Sequence, residues 1–163
     1  MTDERQGDAL LPSIAALPKN AGVIFRHYAT PPDQRRALFR TVQRITRRKG
    51  IMLLLAGTPQ QARAWGADGA HGRHRGAVTT PVHSLPEIRE AETKGARLLF
   101  LSPVFPTQSH PGARTLGRVR FSALGRQSRL PIIALGGMTA ARARSLRAAG
   151  IYGWAAIDGL SAR

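Results

Sequence analysis

Short apolar runs recur along this chain, and each ends in glycine, hydroxyl or basic residues before a helix-compatible stretch begins. Val23-Ile24-Phe25, Ile51-Met52-Leu53-Leu54-Leu55, Leu98-Leu99-Phe100-Leu101 and Ile132-Ile133-Ala134-Leu135 are the clearest of them. None alternates apolar with polar residues, so each fits a strand covered on both faces rather than one with a wet side. Helical patterns separate the runs. Residues 34–49 place Ala37, Leu38, Val42 and Ile45 at helical spacing with arginines on the other faces, and Gly50 ends the pattern. Strand followed by helix, repeated at about twenty-five residues, predicts βαβ units and a parallel sheet.

The remaining elements follow in order. Residues 9–17 predict a short helix, residues 59–65 another, and residues 66–71 a strand behind turn residues. Residues 77–80 read as a brief strand. Ser84 is the expected N-cap of a helix to about Thr93, with Glu87 completing a capping box. A helix near 119–127, another over 139–149 and a last strand over 151–157 complete the reading. Length predicts one domain, residues 1–163.

In a parallel barrel the reactive groups lie where strands end. Those tips carry Arg26 and Tyr28; Ala56-Gly57-Thr58; His71; Thr80 and His83; Thr107, Ser109 and His110; Gly136-Gly137; and Asp158. Arginine, hydroxyls and glycine N–H groups donate to phosphate oxygens and allow close approach. Gly136-Gly137 is the clearest such place, although a plain tight turn uses the same residues. His110, between hydroxyls and a proline, is a candidate for phosphate contact or proton transfer. His71, His74, His83 and His110 match no usual metal spacing, and few carboxylates are near them in sequence, so no metal site is assigned.

Charge and composition narrow the partners. The net charge is +16, nearly all arginine, with only Lys19, Lys49 and Lys94 as lysines. The basic residues are spread over several segments, and aromatic residues make up 6% of the chain. Base-stacking platforms are thus scarce, and small anionic substrates are expected rather than nucleic acid. There is no cysteine, which excludes disulfides and thiolate chemistry and fits a cytoplasmic protein. No run reaches the roughly 20 apolar residues of a membrane span.

The segments Phe25-Arg26, Asp68-Gly69-Ala70-His71, Val82 to Glu87, Pro103 to His110 and Ile132 to Met138 stand in this order along the chain, and together they resemble motifs of the thiamine phosphate synthase/TenI (thiazole tautomerase) family. Pro103-Val104-Phe105-Pro106-Thr107-Gln108-Ser109-His110 resembles its Pro-Val-Phe-Pro-Thr-x-Thr-Lys loop, and Ile132 to Met138 resembles its next strand and phosphate loop. Asp68-Gly69-Ala70-His71 is similar to its Asp-Gly-Val-His strand. Val82-His83-Ser84-Leu85-Pro86-Glu87 is similar to a helix start, and Phe25-Arg26 to its Leu-Arg-Glu-Lys strand. The resemblance implies an α/β (β/α)8 TIM-type barrel that joins hydroxymethylpyrimidine diphosphate to thiazole phosphate, releasing pyrophosphate with Mg²⁺ help. It implies Arg26 and His110 as catalytic residues, and Thr107, Ser109, Gly136, Gly137 and His83 as substrate- and phosphate-binding residues.

The chain departs from the family pattern at several of those places. Ala56-Gly57 stands where synthases carry Asn-Asp, and Gly72-Arg73-His74-Arg75 stands where a second Mg²⁺-binding aspartate belongs. Two family lysines are Tyr28 and His110, a serine is Pro81, and another serine is Asp158. The catalytic histidine of the tautomerase branch is Pro103. Two readings therefore stand: a synthase, or a non-catalytic or TenI-like binder of thiazole or thiamine phosphate.

The barrel is expected to be incomplete. Met1-Thr2-Asp3 matches only the end of the family's first strand, the fourth helix is nearly absent, and the last is short. Either the true start lies upstream of Met1, or the barrel stays open or pairs with a second copy in a homo-oligomer.

Overall fold

The computed structural model describes residues 1–107, 112 and 114–157. The chain forms two compact units, the first running to His71 and the second beginning at Gly72.

In the first unit, β1 (Gly22–Phe25), β2 (Met52–Ala56) and β3 (Gly69–His71) lie parallel in chain order. The register pairs Phe25 with Leu55 and Ala56 with His71, so the strands end at a common carboxyl edge. Before β1 come a 3-10 stretch over Glu4–Ala9 and α1 (Leu10–Ala15), and the Thr2 N–H donates to the Ile24 carbonyl at 2.9 Å. The first residues thus lie beside β1, where the resemblance places the end of a first strand.

Helix α2 (Pro32–Lys49) connects β1 to β2, with Pro32 at its start and Gly50 at φ +65° at its end. It buries Phe39 and Val42 against the sheet. Phe39 packs edge-on to Phe25 at 5.4 Å and to Trp65 at 5.2 Å. Trp65 ends α3 (Pro59–Trp65), whose Thr58 and Gln61 form a reciprocal capping box. The Asp68 carboxylate accepts the Leu53 N–H at 2.7 Å, and the Leu53 carbonyl accepts the Asp68 N–H at 2.9 Å. The acid of the Asp-Gly-Ala-His motif therefore ties β3 to β2.

In the second unit, β4 (Thr79–Val82), β5 (Leu98–Leu101), β6 (Ile132–Ala134) and β7 (Gly153–Trp154) are again parallel and in chain order. Val82, Ile88, Leu99, Leu101, Phe121 and Leu146 form one buried cluster with α4 (Leu85–Thr93), α5 (Gly117–Gly125) and α6 (Ala140–Ser145) around it. The arrangement is the βαβ repeat expected from the apolar runs.

Several boundaries differ from the sequence reading. β4 runs two residues later than expected, continuing through Pro81, because Ala77 is held in a turn by the His74 carbonyl. α5 starts at Gly117, whose N–H donates to the Val104 carbonyl. The 139–149 helix breaks at Leu146 into α6 and a 3-10 turn, and the last strand shrinks to two residues. No helix occupies residues 72–78. Gly72 instead donates to the Thr79 carbonyl, closing a tight loop.

Candidate functional site

In the first unit, the carboxyl ends of β1 and β2 are tied together by Arg35 from the first turn of α2. Its Nε–H donates to the Arg26 carbonyl at 2.8 Å, and its Nη2 donates to the Ala56 carbonyl at 3.0 Å. The guanidinium lies over the rings of Trp65 at 5.1 Å, Tyr28 at 5.7 Å and Phe25 at 5.8 Å. Burial lowers its pKa from the ordinary arginine value, opposed by the nearby Tyr28 and Glu4.

Arg26 is half-buried at the β1 tip, its guanidinium 5.7 Å from the centre of the Tyr28 ring. Its N–H donates to the Thr2 hydroxyl at 2.9 Å, and that hydroxyl pairs with Nδ1 of His27 at 2.9 Å. His27 is buried, stacked on Phe25 at 4.8 Å, and held at φ +48°, a region few side chains other than glycine adopt. Burial pushes its pKa down against the pull of Glu4, which favours the neutral ring. At the β3 tip, His71 is buried and its pKa falls to about 4, first through desolvation and then through the charge of Arg26.

In the second unit, Gly136 and Gly137 follow β6 at φ +95° and +60°. They lie against the segment 103–106. A Cβ on Gly136 would fall 2.7 Å from Cα of Pro103, and one on Gly137 would meet Cβ of Phe105 at 3.0 Å and the Pro106 carbonyl. Val104 and Phe105 donate N–H groups to the carbonyls of Leu135 and Gly136 at 2.9 and 3.1 Å. Both glycines are thus required by backbone approach as well as by conformation. The N–H groups of Gly136 and Gly137 donate to no protein acceptor among the described residues. Arg142, from α6, donates to the Gly137 carbonyl and lies 4.9 Å from the centre of the Phe105 ring. Thr107 is half-buried at the end of the same segment. Ser109 and His110 lie outside the described residues.

His83 is half-exposed and engaged with its own helix. Glu87 Oε2 accepts from the His83 N–H at 2.7 Å, lies 2.9 Å from His83 Nδ1, and is 3.1 Å from Nη2 of Arg73. This corrects the capping-box expectation. The Ser84 side chain makes no cap hydrogen bond, and Glu87 reaches one residue further back, where the His83 N–H donates to it and the Nδ1 of the same residue lies beside it. Burial raises the Glu87 pKa, but the hydrogen bonds from His83 and the charge of Arg73 outweigh it and hold the group below the ordinary glutamate value.

The donor set does not fit the Mg²⁺ implied by the resemblance. Positions 57 and 72–75 are glycine, arginine and histidine, and the Ala56 carbonyl already accepts from Arg35. Among the described residues no three His, Asp or Glu side chains cluster as metal ligands. A hard cation needs oxygen ligands, and these positions supply guanidinium instead.

Two residues at these tips escaped the sequence reading. Arg35 looked like one of many arginines on an amphipathic helix. Its position in the first turn, where the helix dipole disfavours a cation, was the available signal that something else holds it there. Arg142 gave no comparable signal.

Among the described residues no helix is long and apolar enough to cross a membrane. Comparison with known proteins accords with the geometry. Residues 72–160 match the family model for thiamine monophosphate synthase. The chain is 30% identical over 173 residues to a thiamine-phosphate synthase of Methylococcus capsulatus, covering 96% of this chain and 77% of that one. It is 33% identical over 181 residues to one from Salinispora arenicola, covering 99% and 87% respectively. A solved structure of a thiamine phosphate pyrophosphorylase from Pyrococcus furiosus has the same fold, with a TM-score of 0.82, 24% identity, and coverage of 99% of this chain and 86% of that one. The fold is α/β, an incomplete (β/α)8 TIM-type barrel, and the chain belongs to the thiamine monophosphate synthase family.

Proposed function

We propose that residues 1–163 work as one thiamine phosphate synthase-like domain in thiamine biosynthesis, joining hydroxymethylpyrimidine diphosphate to thiazole phosphate. The bond from the pyrimidinylmethyl carbon to the diphosphate oxygen breaks, that carbon bonds to the thiazole nitrogen, and pyrophosphate leaves. Both substrates are small phosphorylated molecules, and in this reading the domain works in the cytoplasm.

The supporting observation is the Gly136-Gly137 turn. Its positive φ angles, its contact with the 103–106 segment and its N–H groups, which have no protein acceptor among the described residues, suit a phosphate monoester, with the Thr107 hydroxyl at the end of the same segment. Ser109 and His83 serve as further substrate contacts in this reading. Arg26 at the β1 tip supplies a fixed positive charge for the diphosphate, and His110 takes the place of the family's loop lysine.

The test combines purified protein, both substrates and a pyrophosphate-release assay. Release that depends on both substrates is the expected result. Binding of thiazole phosphate without any release would replace the synthase reading with that of a non-catalytic binder.

A further inference from the structure

We propose that this chain holds a diphosphate group at the carboxyl ends of β1 and β2 with Arg35 and Arg26, and that it does so without a divalent cation. The inference rests on the synthase reading only for the identity of the ligand, and its test is separate from turnover.

Three observations in the first unit carry it. The first is the replacement of the acid. Where the family pattern has a carboxylate after β2, this chain has Gly57, and the preceding carbonyl, Ala56 O, accepts from a guanidinium. A cation held by protein is already at the place where a metal ion's ligands are missing.

The second is the geometry of that cation. A guanidinium has five N–H donors in a planar fork. Arg35 uses its Nε–H on Arg26 O and one Nη2 proton on Ala56 O. Among the described residues its other donors have no protein acceptor. The two carbonyl bonds and the rings of Phe25, Tyr28 and Trp65 fix the plane of the group before any ligand arrives.

The third is the charge around it. Arg26 follows β1 directly, next to the same pair of strand ends, and its charge reaches His71 at the β3 tip. His71 has its pKa lowered to about 4, so it is neutral at pH 7 and leaves the anion's charge to the arginines. Arg35, held on the two strand ends, and Arg26, directly after β1, offer planar guanidinium forks that suit phosphate oxygens and neutralise charge more specifically than a lysine or a water-bound metal ion would.

Inorganic pyrophosphate is the probe, titrated calorimetrically into the whole chain in EDTA and again in excess Mg²⁺. The expected affinities agree within about threefold. Arg35→Gln is expected to weaken binding in EDTA by tenfold or more, whereas Arg40→Gln, exposed further along α2, leaves it unchanged. Because Arg35 also packs on Trp65, a second measurement uses the unaltered protein. Pyrophosphate in EDTA should slow phenylglyoxal modification of Arg35, mapped by peptide mass spectrometry. Binding that appears only with Mg²⁺, an Arg35 left unprotected, or equal losses in Arg35→Gln and Arg40→Gln would each overturn the proposal. A chain that binds pyrophosphate in EDTA yet never couples the two substrates would retain this site and lose the synthase reading instead.

Discussion

Gly136 approaches Pro103 so closely that a Cβ added to it would fall 2.7 Å from the proline Cα. This contact turns a sequence pattern, two glycines after a strand, into a packing requirement, because the 103–106 segment is bonded to residues 135 and 136 and cannot withdraw cheaply. Gly136→Ala is expected to cost about 2–5 kcal/mol, combining overpacking with an unfavourable positive φ. Gly95 has φ +82° but open space where a Cβ would go. Gly95→Ala should cost only the conformational part, about 1–2 kcal/mol. Urea denaturation of both variants measures the difference, and equal losses would refute the packing argument.

Burial of His71 makes stability depend on pH. Its folded pKa of about 4 lies below the ordinary 6.5, so the unfolded chain binds the proton more readily than the native one. Its contribution is therefore complete above about pH 6.5 and declines as pH falls towards 4, by about 3 kcal/mol in all. His27, also lowered by burial, acts in the same direction. Asp3, Glu4, Glu87 and Glu92 have lowered pKa values, so the stability they add is lost below the ordinary carboxylate range, at more acidic pH. Denaturation midpoints at pH 7, 6 and 5 should fall steadily, and His71→Asn should flatten the decline to what His27 leaves.

Asp68 is a structural acid. Asp68→Ala removes the acceptor for the Leu53 N–H and should cost about 1–3 kcal/mol, the range for a backbone donor left unsatisfied in a partly buried place. Asp68→Asn keeps an acceptor oxygen and should lose clearly less. Thermal unfolding of the two variants distinguishes this role from a catalytic one, in which both would fold as the parent does and fail only in the coupling assay.

The Arg73–Glu87–His83 cluster is expected to add little stability. The Arg73 and His83 side chains are 49% and 46% exposed, so solvent screens the pairing. A double-mutant cycle on Arg73→Ala and Glu87→Ala should return a coupling below about 1 kcal/mol, falling further in high salt. A larger, salt-insensitive coupling would show the cluster to be a rigid part of the site.

The sequence by itself determined the alternation of strands and helices and the family. Apolar runs such as Leu98 to Leu101 and turn residues such as Gly50 act locally, through burial and backbone conformation, and both effects are written in residue type and spacing. Motifs such as Pro103 to Thr107 and Gly136-Gly137 are contiguous, so they too can be read without coordinates. The tertiary structure alone decided which charges matter. Arg35 stands nine residues beyond Arg26 and twenty-one before Ala56 in the chain, yet one guanidinium bonds both carbonyls. Glu87 was expected to cap its own helix and instead holds His83 and Arg73. Hydrogen bonds of this kind depend on the convergence of strand ends and helix starts in space, which spacing along a chain does not encode.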